Sequence, residues 1–268
     1  MSPIRPATLL AAHQGDVVAV LPHEGTYNIL FHSYAIPVGS GFRSGYLARP
    51  DQVGRFPAVV ILPGIFGLRS FEKDLARQLA RHGFVAISFD PYPSPLTSDA
   101  TLDEAVSAYS ALDDRRALTD IDRAIDFAIE GASDFTVGGP VGMVGVDTGG
   151  RFGLLYAADR HRLAGLVAIH APLAGDEQRM LTVRDALERI LIPVLGLYGA
   201  NDEHIPSEGV DVAADLNPSG QWIVYEAAGH GFMDPDSDLF QSGAASDASS
   251  RIPKFLSARL PQPEPSDY

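Results

Sequence analysis

Short, uninterrupted apolar runs alternate with longer amphipathic stretches over most of this chain. The runs fall at Ala58–Leu62, Phe84–Phe89, Val141–Val146, Leu163–Ile169, Val194–Tyr198 and Trp222–Glu226. Continuous apolar strands separated by helices predict a parallel sheet covered on both faces, a doubly wound α/β architecture. Between the runs, 70–82 has helical spacing with Phe71, Leu75 and Leu79 as its buried stripe, and stops at Gly83. A single long helix is predicted over 112–129. Its acidic residues, Asp113 and Asp114 through Asp126, interleave with Arg115, Arg116 and Arg123 and read as a solvated face. Residues 15–50 read as short extended pieces broken by Pro22, Gly25, Pro37 and the Gly39-Ser40-Gly41 turn. The expected organisation is one domain over residues 1–260, with a flexible, proline-bearing tail at 261–268.

Composition narrows the partners. A chain of 268 residues, 46% hydrophobic, can bury a large core without disulfides or metal, and it has no cysteine to make either a disulfide or a thiolate site. The net charge of −14 disfavours nucleic acid and anionic membrane surfaces. No stretch approaches the roughly 18 apolar residues of a membrane span. The segment Met1 to Ala12 lacks the long apolar core of a secretion signal, so the expected location is the cytoplasm. No Gly-Lys-Ser/Thr loop, dinucleotide fingerprint or paired-histidine metal motif occurs. The expected partner is a small-molecule substrate, with no cofactor and no metal.

In an open parallel sheet, chemistry collects at the carboxyl ends of the strands. Four segments fall there: Pro63-Gly64-Ile65-Phe66-Gly67, Asp147, Asp202 and His230. Gly145-Val146-Asp147-Thr148-Gly149-Gly150 has the form of a nucleophile elbow, with an aspartate at the position where the G-x-S-x-G version carries serine. Asp202 follows an apolar run in Gly199-Ala200-Asn201-Asp202, and His230 stands in Ala228-Gly229-His230-Gly231-Phe232. Nucleophile position, acid, histidine is the chain order of the α/β-hydrolase fold. His170 ends another run at the same edge. It reads either as part of the pocket wall or as a hydrogen-bonded structural histidine.

These motifs, together with Leu62–Leu68 and Ser44-Gly45-Tyr46-Leu47-Ala48-Arg49-Pro50, resemble the dienelactone hydrolase family across roughly residues 40 to 258. The resemblance implies an α/β-hydrolase fold without a large cap domain. It implies that Asp202 orients His230, that His230 is the base, and that the backbone N–H groups of Ile65 and Thr148 form the oxyanion hole. It also exposes three departures. Asp147 replaces the family's cysteine, Gly64 a glutamate that serves that cysteine, and Asp234 an arginine that helps bind an anionic substrate.

An aspartate changes the bond under attack. It arrives ionised, held by the helix N-terminus, but against an ester it would form an anhydride. Against a saturated carbon it can form an ester, which His230-activated water then hydrolyses. Aspartate-nucleophile epoxide hydrolases and haloalkane dehalogenases are similar in this triad. Thr148 stands where a dehalogenase usually has a halide-holding tryptophan, which favours an epoxide. Tyr92, in Phe89-Asp90-Pro91-Tyr92-Pro93, is the expected proton donor, with Phe66 and His170 as further pocket residues. Three alternatives stay open: a non-hydrolytic cyclase or carbon–carbon bond-forming enzyme of secondary metabolism, a lactone or ester hydrolase of the family's usual kind, and an inactive binding protein. Without a lid, a second copy of the chain is a candidate to close the pocket.

Overall fold

The structure, a computed structural model, describes residues 25–39, 41–132, 134–174 and 179–265. The expectations for Pro22, for residues 15–24 and for Ser40 in the turn lie outside these residues. Chain order runs β1 (Ile29–Val38), β2 (Gly41–Pro50), β3 (Gly54–Arg55), β4 (Ala58–Leu62), α1 (Ser70–Arg81), β5 (Val85–Phe89), α2 (Leu102–Ser110) and α3 (Asp114–Asp126). It continues through β6 (Val141–Val146), α4 (Thr148–Asp159), β7 (Leu163–Ile169), α5 (Val183–Leu187), β8 (Val194–Gly199), α6 (Ser207–Leu216), β9 (Gln221–Tyr225), α7 (Ser242–Ser257) and β10 (Glu264–Pro265).

Eight strands form one sheet in the order β1-β2-β5-β4-β6-β7-β8-β9. From β5 to β9 all neighbours are parallel, and β2 joins β5 antiparallel. The side chains of β4 show why its apolar run is continuous. Ala58, Val60 and Leu62 enter the core beneath α3, α4, α5 and α6, while Val59 and Ile61 enter a second core beneath α1 and α7. Each fully buried valine or isoleucine there stabilises the fold by about 1.5–3 kcal/mol. The chain turns back across β4 to reach β6, and the crevice at that reversal opens at the carboxyl ends of the strands.

Four expectations change. The extended pieces at 29–50 are two ten-residue strands in a hairpin, and Pro37 sits within β1, opposite Phe42 at the sheet edge where a missing N–H is tolerated. The helix predicted over 112–129 is α3 followed by a wider π turn at Phe127–Gly131, and a separate helix, α2, precedes it. The acidic face of α3 is not uniformly solvated. Asp114 and Asp120 are buried, each against an arginine from another element. In the tail, Glu264–Pro265 pair with Gly54–Arg55.

Candidate active site

Asp147 occupies the turn between β6 and α4 with φ 47° and ψ −121°, a conformation that a side-chain-bearing residue rarely adopts. Backbone packing holds the turn. The Asp147 N–H donates to the Ile169 carbonyl of β7 (2.9 Å), and its own carbonyl accepts from Gly150 (2.8 Å) and Arg151 (3.2 Å). A Cβ on Gly149 would lie 2.2 Å from the Leu62 carbonyl oxygen, and one on Gly145 would lie 2.5 Å from the Gly150 Cα. Only glycine lets α4 approach the strands this closely.

The side chain projects into the crevice and divides its two oxygens between different partners. Oδ2 accepts a hydrogen bond from the Ile65 N–H at 2.9 Å, and the Thr148 N–H also donates to the carboxylate. Oδ1 lies 3.9 Å from His230 Nε2. His230 Nδ1 is 2.9 Å from Asp202 Oδ2, and Asp202 is fully buried with its Oδ1 accepting from the N–H groups of His204 and Ile205. An ionised carboxylate can only accept, so Nδ1 donates to Asp202 and Nε2 is left to face Asp147.

The electrostatics follow from these contacts. Burial raises the Asp147 carboxyl, and the Ile65 N–H, the His230 charge and the Thr148 N–H offset that only in part. For Asp202, burial is outweighed by the His230 hydrogen bond and charge and by its two backbone donors, so its pKa is lowered. Burial alone would lower His230, but the hydrogen bond and charge of Asp202, then the charge of Asp147, leave it raised above the ordinary histidine value.

The loop bearing Ile65 is tied down by groups that sequence reasoning passed over. Buried Glu72, at the third position of α1, accepts from the N–H groups of Gly64 (3.4 Å) and Arg69 (2.9 Å). Asp90 accepts from Leu68 (3.2 Å) and Tyr92 (2.9 Å). Glu72 at the third helical position, reaching back to the Arg69 N–H, is one half of a capping box, and an acidic residue there is the signal that could have found the first of these. Tyr92, expected as a proton donor, is buried with its hydroxyl donating to the Ile65 carbonyl at 2.5 Å. Phe66 is half-buried on the same loop. Gly64 has a steric reason to be glycine, since a Cβ there would lie 3.3 Å from the Asp147 Cβ and 3.4 Å from its Oδ2. Beside Thr148, the side chains of Leu62, Tyr92, Tyr109 and Phe152 line an apolar cavity of about 30 Å³.

The edge also gathers two more histidines, whose rings lie 4.6 Å (His170) and 5.2 Å (His204) from that of His230. Asp234 is half-buried near Glu72, and each carboxyl is raised, chiefly by burial. Among the described residues, no group of three or more acidic or histidine side chains is placed to hold a metal ion.

The family model described as "Dienelactone hydrolase family" matches residues 43–260. The chain belongs to the dienelactone hydrolase family. A relative from Yersinia pestis named "Putative carboxymethylenebutenolidase" is 29% identical over 254 residues, covering 91% of this chain and 93% of the relative. A Bradyrhizobium protein named "Probable 2-oxo-3-(5-oxofuran-2-ylidene)propanoate lactonase" is 30% identical over 214 residues, covering 77% of this chain and 85% of that one. Among solved structures, a "Putative Dienelactone Hydrolase" from Klebsiella pneumoniae superposes with a TM-score of 0.80 at 26% identity, over 86% of this chain and 99% of the other. The fold is the dienelactone-hydrolase-like α/β-hydrolase fold, without a large cap domain.

Proposed function

We propose that the protein is a hydrolase that opens an epoxide, or a related alkyl electrophile, through a covalent ester on Asp147. One observation carries this reading: Asp147 Oδ2 accepts from the Ile65 N–H at 2.9 Å, so the carboxylate takes up a donor that the family resemblance assigns to the oxyanion hole. A hole filled by the enzyme's carboxylate has no donors free for a substrate carbonyl. The same donors are well placed for the second half of an ester route. Oδ1 attacks the saturated carbon, the carbon–oxygen bond breaks and its electron pair leaves on the substrate oxygen. His230 then takes a proton from water, which attacks the Asp147 carbonyl carbon. The negative charge that develops falls on Oδ2, already facing the Ile65 N–H. Collapse expels the alcohol, which takes the proton back from His230. The apolar cavity beside Thr148, and Asp234 at the position of the family's substrate-binding arginine, support a neutral substrate over an anionic one.

The names of the relatives favour a second reading, hydrolysis of a lactone or ester with Asp147 acting as general base for water. Oxygen labelling separates the two. In a single turnover in H₂¹⁸O, the ester route puts label into Asp147 and leaves the first product unlabelled. General-base hydrolysis labels the product and not the protein. A His230→Gln variant should also accumulate the ester, detected on the Asp147 peptide as a mass increase equal to the substrate. No such adduct across a panel of epoxides would sink the ester route.

A further inference from the structure

Among the described residues, only two that carry side chains have positive φ: Asp147 at 47° and His170 at 34°. They stand at the ends of neighbouring parallel strands, joined where the Asp147 N–H donates to Ile169. Strained backbone of this kind persists where the surrounding structure enforces it, and it gathers at working sites. His170 is 4% exposed, and its ring meets that of His230 edge to face at 4.6 Å, with Phe232 behind it at 6.4 Å. Its Nδ1 is sealed from solvent with no hydrogen-bond partner. An orphaned buried N–H is rarer and costlier than an orphaned buried acceptor, which puts the ring proton on Nε2.

We propose that His170 is a catalytic residue that donates a hydrogen bond from Nε2 to the substrate oxygen released when Asp147 opens the ring. The proposal rests on the Asp147 ester route and supplies the electrophile that route lacks, since the Tyr92 hydroxyl is committed to Ile65. Burial first, then the charge of His230, push the His170 imidazole down to about 3, with Asp202 opposing weakly. It therefore stays neutral beside a protonated His230 and acts as a fixed donor that keeps its proton. The balance is complete. The new bond joins Oδ1 to carbon, the carbon–oxygen bond breaks, and the alkoxide accepts the His170 hydrogen bond while it takes a proton from solvent. Ester hydrolysis returns one proton to solvent. A neutral imidazole used as an electrophile is established chemistry in enzyme sites.

The test compares leaving groups in a His230→Gln background, where the ester cannot turn over. A terminal epoxide releases an alkoxide that needs stabilisation, whereas a primary alkyl bromide of matched size releases a stable anion. Adduct formation on Asp147 is followed by mass spectrometry for His170, His170→Asn and His170→Phe. Asparagine keeps an N–H donor and tolerates positive φ. The His170→Phe change should slow alkylation by the epoxide about 10²-fold and by the bromide no more than about threefold, and His170→Asn should recover part of the epoxide rate. Equal losses with both reagents would reveal a purely structural histidine and overturn the proposal, as would no loss with the epoxide. Should neither reagent modify Asp147 while His170 is intact, the ester route itself fails, and this proposal with it.

Discussion

At the scale of single residues, the decisive asymmetry is between the two oxygens of Asp147. Oδ2 is pinned by the Ile65 N–H, so on the proposed ester route Oδ1 is the better nucleophile, and the pinned oxygen receives charge later without moving. Gly64 keeps the room for this arrangement. Its missing Cβ would press on both the Cβ and Oδ2 of Asp147, so Gly64→Ala should disturb the carboxylate and leave the core intact. The expected result is a loss in the rate of Asp147 ester formation of about tenfold, or ~1.4 kcal/mol, with an unchanged melting temperature. An unchanged rate would mean that the carboxylate does not work from this position. The elbow, Asp202 and His230 are legible in the sequence because each sits in a short signature at the end of an apolar run. The occupancy of the hole is not. It depends on a rotamer of Asp147 reaching a backbone N–H on a loop 82 positions away. The Tyr92 hydroxyl illustrates the same limit, for a tyrosine at a strand end could face substrate or backbone, and here it meets the Ile65 carbonyl.

At the scale of elements, a buried charge cluster fixes α4 behind the elbow. Arg151, four residues after Asp147, is 1% exposed and binds both oxygens of Asp114 at 3.0 Å. Arg179 joins the same carboxylate at 2.7 Å and also donates to the Leu112 and Tyr109 carbonyls. The cluster links α2, α3, α4 and the segment that follows His170. Removing one member of a buried ion cluster leaves charge without compensation, so Asp114→Ala should cost about 3–5 kcal/mol. Chemical denaturation of the variant against the parent measures this, and a loss below about 1 kcal/mol would show that the arginines are satisfied without Asp114. The amphipathic spacing of α3 correctly announces a helix with Ile121 and Ile125 inward. It cannot announce that Asp114 is also inward, because the arginine that makes its burial tolerable lies 37 positions further on. Strand positions in the parallel sheet are the most legible part of the fold, since burial on both faces keeps the runs almost wholly apolar, with Ser88 of β5 satisfied by the Ile61 carbonyl. The hairpin of β1 and β2 is the least, because its edge position tolerates polar residues and a proline.

At the scale of the whole molecule, the sheet brings six parallel strand ends to one line, and the site is acidic within a chain of net charge −14. Protonation should therefore govern turnover from the acid side. On the proposed ester route Asp147 must be ionised to attack and His230 must be neutral to activate water, and both pKa values are raised. Each requirement is met at high pH and lost as pH falls through the raised values of His230 and Asp147. Esterification of Asp147 removes one of the charges that raise His230, but Asp202 remains. Lowering the pH from about 8 to about 6 should slow turnover and increase the fraction of enzyme carrying the ester, read as intact mass at steady state. Accumulation at high pH instead would contradict the role given to His230.

The glycine contacts around the elbow bear on how such a site can change over evolutionary time. The turn that carries residue 147 is held by the close approach of Gly145 and Gly149 to neighbouring backbone and by the hydrogen bonds of residue 147's own N–H and carbonyl. The scaffold therefore presents whatever residue stands there at the same point above the sheet. The residue at the turn can be exchanged by a single substitution without rebuilding the turn, and the accommodation it then needs falls on near neighbours such as residue 64. The backbone is the inherited part of this site, and the reactive group is the exchangeable one.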